Sequence, residues 1–161
     1  MLDFIYKRRS IRKYTGQPVE DEKITKMLKA AMAAPSANNK QPWHFIVIRD
    51  RETLGKIADV HPYAKMAAEA PLAIVVCGDA DDYYLWQDCA ASTQNLLVAA
   101  ANIGLGAVWC GLREEREVNM RNLLAVPDHV RTFSLVVIGY PAEEKPPRTQ
   151  YNEEKVHYEG W

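Results

Sequence analysis

Apolar residues recur at helical spacing in several stretches of this chain. Ile24, Met27, Leu28 and Ala31 follow this spacing and predict a helix over residues 20–34, with Pro35 just beyond its end. Asp50 is a suitable N-cap for a helix that reaches about residue 60. A weaker helical segment extends to about residue 70, and another helix is predicted over 114–124.

The strongest helical pattern covers residues 83–103 and stops at Gly104. At 1.5 Å per residue this helix is about 30 Å long, which is enough to cross a small domain. Its second half is apolar on all sides. A helix of that kind is predicted to be central and covered on both faces.

Short apolar runs predict four strands, at 44–48, 72–77, 107–110 and 133–138. Helices and strands alternate irregularly, without the regular spacing of repeated strand–helix–strand units. The sequence therefore predicts an α+β or mixed-sheet layered domain rather than a doubly wound fold.

Composition limits the classes of protein to consider. The chain has 161 residues, 48% of them apolar, which fits one domain over 1–161 with a sizeable core. A net charge of -1 does not favour nucleic acid or membrane as a partner. No apolar run reaches the roughly 20 residues that span a bilayer. The first residues also lack the order of a signal peptide, so we expect a cytoplasmic protein.

The cysteines are odd in number and far apart, and their neighbours are mostly apolar. Reduced, buried thiols are the expected state of Cys77, Cys89 and Cys110, with a redox-active Cys110 as the alternative. Nucleotide-binding fingerprints, HExxH and GxSxG are all missing from the sequence, and the four histidines are dispersed. We therefore expect neither a metal site nor hydrolase chemistry.

Five cations lie within residues 7–13, in the run KRRSIRK. A solvated basic surface is one explanation of such a run. The other is a phosphate site, because arginine forks and a serine hydroxyl suit phosphate oxygens and flanking apolar residues would anchor the run. A second basic segment, Lys145-Pro-Pro-Arg148, could meet the first around one dianion.

The segment PSANNKQPW, residues 35–43, joins the first long helix to the first strand. It could be an ordinary connection. Its hydroxyl and amide groups, braced by prolines, would also suit the edge of a heteroaromatic ring.

Residues 143–161 are charged and contain proline, yet they include Tyr151, Tyr158 and Trp161. These aromatics would be costly to leave in water. We therefore expect the tail to dock on something, such as a second subunit.

At these segments the chain resembles the short form of the nitroreductase family. The resemblance rests on RRSIRKY, PSANNKQPWHF, GLGAVWCG and IGYPAEEKPPR, which occur in the family's order and spacing and together span essentially the whole chain. It implies a layered α-β-α sandwich with a mixed, mostly antiparallel sheet. It also implies a domain-swapped homodimer with one FMN in each of two sites between the subunits.

The resemblance also implies roles for individual residues. The groups holding the FMN phosphate and ribityl chain would be Arg8, Arg9, Ser10 and Arg12, with Arg148 and, as a further candidate, Lys145. The isoalloxazine ring would be lined by Pro35, Ser36, Ala37 and Asn39, expected from the other subunit. Val108, Trp109, Cys110 and Gly111 would run along the opposite side of the ring. Trp109-Cys110 departs from the acidic residue that many family members place near the flavin, which leaves the substrate class open.

The activity implied is ping-pong oxidation of NADH or NADPH through FMN, with a nitroaromatic, quinone or other flat molecule as acceptor. No side chain is required as acid or base. Two alternatives stay open: a specialised flavoenzyme that removes a substituent or uses oxygen, and a non-catalytic flavin carrier or redox sensor. A nucleic-acid binder using the basic run is disfavoured by its shortness and by the net charge.

Overall fold

A computed structural model describes residues 2–161, so the first residue of the predicted 1–161 unit lies outside the described part. The helices are α1 (Asp3–Lys7), α2 (Asp21–Met32), α3 (Arg51–Val60), α4 (Leu85–Asn102) and α5 (Glu115–Leu123). The strands are β1 (Trp43–Ile48), β2 (Leu72–Asp79), β3 (Gly106–Gly111) and β4 (Val130–Gly139). Single 3-10 turns occur at Ala37–Asn39, Lys65–Ala68 and Glu153–Lys155.

The four strands form one sheet in the order β1-β2-β4-β3, and each neighbouring pair is antiparallel. A parallel bridge between Ser10 and Ala107 lies at the outer edge of β3. The predicted mixed, mostly antiparallel sheet is therefore confirmed. β2 and β4 are central and covered on both faces, which is why β2 and the second half of β4 are almost continuously apolar.

Two hydrophobic clusters, one on each face of the sheet, make the molecule a three-layer sandwich. On one face, Met27 of α2 and Leu96 of α4 pack against Ile74 of β2. On the other face, α3 and α5 cover the sheet, with Ile57 and Met120 fully buried. The predicted α+β sandwich is confirmed, because alternate residues of each central strand supply the two cores.

Helix α4 differs in one respect from the sequence prediction. Its inner face is buried, but in one chain its outer face is only partly covered: Gln94 is exposed, and Val98 and Ala101 are half-buried. The prediction of a helix covered on both faces is wrong for the single chain, because among the described elements only the short helix α1 lies beside the outer face. Gly104, with a φ of +82°, ends the helix as predicted.

Three further features complete the fold. Asp50 caps α3 as predicted, accepting a hydrogen bond from the backbone N–H of Thr53 at 2.8 Å. Helix α1, before the basic run, was not predicted from the sequence.

The end of the chain leaves the body of the molecule: Tyr151 is 76% exposed, and Trp161 is fully exposed. None of the helices within residues 2–161 combines the length and apolar character that crossing a bilayer requires.

Candidate functional site

The basic run is held against the outer edge of β3. The backbone N–H of Ile11 donates to the carbonyl of Ala107 at 3.0 Å, beside the Ser10–Ala107 bridge. Ile11 is buried against Gly106, where an added Cβ would lie 2.6 Å from the Ile11 Cγ2. Gly106 therefore permits the close approach that fixes the direction of the neighbouring arginines.

The chain beyond β4 returns alongside the same run. Lys145 donates from Nζ to the Ser10 carbonyl at 2.5 Å and pairs with Glu143 at 3.3 Å. The backbone N–H of Arg148 donates to the Tyr6 carbonyl at 3.0 Å, and the Arg9 guanidinium donates to the Pro146 carbonyl. The two basic segments, far apart in sequence, are thus adjacent in space.

Positive charge is concentrated where these segments meet. Burial lowers the pKa of Arg8, and the nearby charges of Arg148 and Arg9 lower it further. Within the described residues, no carboxylate forms an ion pair with any of these three arginines. A cluster of guanidinium groups without a counter-charge is suited to an anion with several oxygens.

A cavity of about 640 Å³ lies beside this cluster and has Lys7, Arg9 and Lys145 in its lining. Its volume is in the range of small-molecule sites. Arg12 is not among the charges that lower the pKa of Arg8; its own charge acts on the pKa values of Tyr14 and Cys110. Its backbone N–H donates to the Glu143 carboxylate at 2.5 Å.

At the edge of the sheet, residues 108–111 present mainly backbone groups, because two of their side chains are buried. Val108 and Cys110 are buried in the core, at 1% and 5% exposure. Since the Ala107 carbonyl faces away from β4 and orientation alternates along an antiparallel strand, the backbone groups of Trp109 and Gly111 also face the free edge. Because Ala107 is bonded to Ile11, the part of this edge that stays free runs from Trp109 to Gly111 and is about 7 Å long.

The three thiols are free and buried, as the sequence predicted for reduced cysteines. Burial raises the pKa of Cys110 to about 11, although the charge of Arg12 acts in the opposite direction. Its Sγ donates to the Tyr63 carbonyl at 3.6 Å. At neutral pH the group is a protonated thiol and a poor nucleophile, which disfavours the redox-active alternative.

His61, one of the four dispersed histidines, supports the end of β3. Its ring is 1% exposed, and Nε2 lies 3.1 Å from the Gly111 carbonyl. Nδ1 accepts from the backbone N–H of Tyr63 at 3.3 Å, an arrangement that assigns the neutral ring. Burial is the main cause that lowers its pKa.

The loop over 35–41 is braced from within. The Ser36 hydroxyl accepts from the Gln41 backbone N–H at 2.9 Å, and the Asn39 side-chain oxygen accepts from Gln41 Nε2 at 2.9 Å. Asn38, Asn39 and Gln41 have φ values of 52°, 53° and 53°. Non-glycine residues in this left-handed region store strain of about 1–3 kcal/mol each and are concentrated at functional sites.

A buried carboxylate on α4 ties this loop to the core. Asp88, 6% exposed, accepts from the backbone N–H of Ala37 at 3.1 Å, and Lys40 pairs with Asp82 at 3.0 Å. Sequence reasoning missed Asp88. The signal was available, because a lone carboxylate between Leu85 and Cys89 on an apolar helix needs a buried partner.

The loop and the arginine cluster lie at different places in one chain. The loop contacts α4 at Asp88, whereas the cavity beside the arginines contacts it at Ala101, about 20 Å further along the helix. The loop also precedes β1, which is three strand spacings, or about 14 Å, from β3. One chain therefore brings Arg8, Arg9, Arg148 and Lys145 together, but it does not bring Pro35, Ser36, Ala37 and Asn39 to them.

Comparison with known proteins yields one family. The family model described as "Nitroreductase family" matches residues 5–61 and 58–140. A candidate NADH dehydrogenase/NAD(P)H nitroreductase of Archaeoglobus fulgidus is 47% identical, over 99% of this chain and 98% of that protein. The FMN reductase [NAD(P)H] of Bacillus subtilis is 27% identical, over 94% of this chain and 70% of that protein.

A solved structure is similar over the full length of both chains. The FMN-dependent nitroreductase of Clostridium difficile R20291 superposes with a TM-score of 0.94 and 34% identity, and the match covers 100% of each chain. The sandwich described above is thus the architecture of that enzyme. Within residues 2–161, no group of three or more His, Cys, Asp or Glu is placed to hold a metal ion.

Proposed function

This chain belongs to the nitroreductase family, and from that premise we propose that it is an FMN-dependent oxidoreductase. In this proposal NADH or NADPH is the electron donor, and a nitroaromatic, quinone or similar flat molecule is the acceptor. Similarity to an FMN-dependent nitroreductase and to an FMN reductase supports this reading.

The observation that carries the proposal is the cluster of Arg8, Arg9 and Arg148. Three guanidinium groups held close together, one with its pKa lowered by burial and by the other two, are costly unless an anion joins them. A phosphate monoester with its two charges fits that requirement. We propose that this cluster binds the FMN phosphate, with Ser10 and Lys145 beside it and Arg12 further along the same segment.

The ring would then extend along the free edge of β3. The outward backbone groups of Trp109 and Gly111 offer hydrogen bonds to its edge, while Val108 and Cys110 support the strand from the core. His61 holds the Gly111 carbonyl in place. In this arrangement residues 108–111 contact the ring mainly through backbone.

We propose that the other side of the ring is covered by Pro35, Ser36, Ala37 and Asn39 of a second copy. The separation of about 20 Å between loop and cations along α4 is the reason. The uncovered outer face of α4 offers an interface, with a groove of about 480 Å³ between Phe4, Ile5 and Val98. Such a homodimer completes two sites at once.

Bound FMN would supply the hydride chemistry, so that donor and acceptor use the same site in turn. The chain's own part is to bind and orient. His61, the titratable ring next to Gly111, is turned inward, and the Cys110 thiol is protonated at neutral pH. We therefore propose no catalytic side chain, with protons supplied by water.

Two rival activities give different results in transient kinetics. A non-catalytic flavin carrier would bind FMN but not accept electrons from NADH or NADPH. A specialised flavoenzyme would be reduced, yet would react slowly with nitroaromatics and quinones and fast with oxygen or a substituted aromatic. Stopped-flow reduction followed by reoxidation with a panel of acceptors separates the three.

Flavin titrations test the phosphate site directly. Arg8→Ala and Arg148→Ala should each weaken FMN binding by about 10-fold or more, because a hydrogen bond to a charged group contributes about 1.5–3 kcal/mol and 1.4 kcal/mol is tenfold. Riboflavin, which has no phosphate, should bind unchanged. The double variant should be less than additive, since both cations serve one anion.

Lys29→Ala removes an exposed cation on α2 and serves as the control, with no expected effect on either flavin. If Arg8→Ala and Arg148→Ala weaken the binding of FMN and riboflavin equally, or change neither, the cluster is not the phosphate site. Absence of flavin binding even in excess FMN would refute the proposed function itself.

A further inference from the structure

A second groove lies at the end of the sheet, between the start of α4 and α5. Two adjoining cavities of about 510 Å³ and 200 Å³ form it, and both are lined by Trp86, Leu112, Arg113 and Phe133. Their combined size is within the range of small-molecule sites. It is distinct from the cavity beside the arginine cluster, with which it shares no lining residue.

Aromatic rings form the wall of this groove. Phe133 contacts Trp86, with ring centroids 5.9 Å apart, and Trp109, with centroids 5.5 Å apart. Trp86 is 48% exposed and Val118, across the groove, is 44% exposed. Apolar surface of this kind is costly in water, and its ring faces are suited to stacking on a flat aromatic molecule.

Two arginines border the same groove. Within the described residues, neither Arg113 nor Arg131 forms an ion pair. Of the two acids in the lining, Glu117 is 8% exposed and already pairs at 3.2 Å with Arg121, which also pairs with Asp128. Arg113 and Arg131 are thus the cations of the lining that have no ion-pair partner within the described residues.

The groove adjoins the proposed flavin edge. Trp109 and Gly111 line the smaller cavity and belong to the strand along which the ring is proposed to lie. Glu114, at the far side, has a φ of 53° and a ψ of -128°, a strained backbone conformation for a residue other than glycine. Strain, aromatic walls and free cations thus coincide next to the site of electron transfer.

We propose that this groove binds the electron acceptor, and that the acceptor is a flat aromatic molecule bearing an anionic group such as a carboxylate or sulfonate. The ring stacks on Trp86 and Phe133, and the anion is held by Arg131 with Arg113. This assignment rests on the proposed function, because it concerns the acceptor of the same flavin site.

The test compares two probes of nearly equal shape, 4-nitrobenzoate and the neutral 4-nitrobenzamide. Calorimetric titration of the oxidised holoprotein should show tighter binding of the acid. Arg131→Gln should weaken the acid by about fivefold and leave the amide unchanged, because a half-exposed charge pair contributes less than a buried one. Arg131→Lys keeps the charge, so it should retain most of the difference in affinity between the acid and the amide.

Two further variants locate the site. Val118→Trp fills the groove from an exposed helix position and should weaken both probes. Lys29→Gln removes a cation from α2, far from the groove, and should change neither. FMN content should be the same in all variants and the wild type, which shows that the flavin site itself is intact.

The proposal fails if the wild type does not distinguish the acid from the amide, or if Arg131→Gln affects both equally. It also fails if Val118→Trp alters the mass measured by light scattering, because the groove would then be an interface between copies. A protein that binds FMN and is reduced, but does not discriminate the probes, refutes only the groove assignment. A protein that discriminates them but takes up no FMN refutes the proposed function instead.

Discussion

At the scale of single residues, two buried polar side chains, His61 and Asp88, stabilise backbone next to the candidate site. Each lies in a largely apolar environment, where an unmet hydrogen bond is costly. Each forms a hydrogen bond with the backbone of a segment that is proposed to lie against the flavin ring. His61 bonds the Gly111 carbonyl, and Asp88 accepts from the Ala37 N–H. Their role in this proposal is positioning, not chemistry.

The ring of His61 predicts a pH dependence of stability. Its folded pKa lies below the unfolded value of about 6.5, so the unfolded chain binds the proton more tightly. The stabilisation is fully present above pH 6.5 and is lost as the pH falls from 6.5 toward the folded pKa. The slope contributed by one such group is at most about 1.4 kcal/mol per pH unit.

Urea unfolding between pH 5 and about pH 8 measures this slope. His61→Gln keeps a hydrogen-bonding side chain but cannot titrate, so its free energy of unfolding should vary less with pH in the acidic range. His44→Gln changes an exposed histidine paired with Asp79 at 2.9 Å and is the matched control. An unchanged slope in His61→Gln would contradict the assignment.

At the scale of elements, the segments flanking the candidate site are irregular in geometry but fixed by long-range contacts. The loop over 35–41 has three residues with positive φ, and the carboxylates of α4 and the preceding turn tie it down. The basic run is fixed by β3 on one side and by the returning chain on the other. These segments are therefore preorganised before any ligand binds.

Removing the Asp88 carboxylate should release the loop. Asp88→Ala leaves the Ala37 N–H without its acceptor, so amide exchange over residues 36–41 should accelerate. FMN and riboflavin should weaken by the same factor, about tenfold, since the loop is proposed to contact the ring and not the phosphate. Hydrogen exchange and parallel flavin titrations measure the two effects.

Asp88→Asn keeps an oxygen acceptor and should change both quantities much less. The Asp88 variants are thereby distinguished from the arginine variants, which should affect FMN alone. Selective loss of FMN binding in Asp88→Ala, with riboflavin unaffected, would show that the loop does not contact the ring.

At the scale of the whole molecule, the described residues of one chain leave three surfaces largely uncovered: the outer face of α4, the edge of β3 beyond Ala107 and the aromatic tail. Phe4 is 41% exposed and Ile5 is 45% exposed beside α4, and Tyr158 in the tail is 77% exposed. Exposed apolar surface of this extent is typical of an interface. The homodimer of the proposed function would cover it.

Deleting residues 151–161 should weaken the dimer and flavin binding together, because the tail is proposed to dock on the partner. Light scattering on dilution, with flavin fluorescence read in the same samples, measures both. A variant with Glu153→Gln and Glu154→Gln keeps the aromatics, changes only exposed charge and should behave like the wild type. A truncated chain that stays dimeric and flavin-bound at equal dilution would refute the docking of the tail.

Local sequence pattern was sufficient for the elements whose formation depends on nearby residues. The helical spacing of Ile24, Met27 and Ala31 placed α2 within a residue or two of its observed bounds, and Asp50 and Gly104 marked real ends. Apolar runs located all four strands of the sheet in the described part of the chain. Caps, turns and burial periodicity are local properties, so the sequence expresses them directly.

Tertiary structure alone decided which distant groups meet. The contact between Lys145 and Ser10, the inward side chains of Val108 and Cys110, and the uncovered face of α4 depend on how strand edges and helix faces pack. The α+β sandwich followed from local pattern together with the resemblance. The geometry of the candidate site did not, because it joins segments from opposite ends of the chain, such as Tyr6 and Arg148, whose juxtaposition only long-range packing selects.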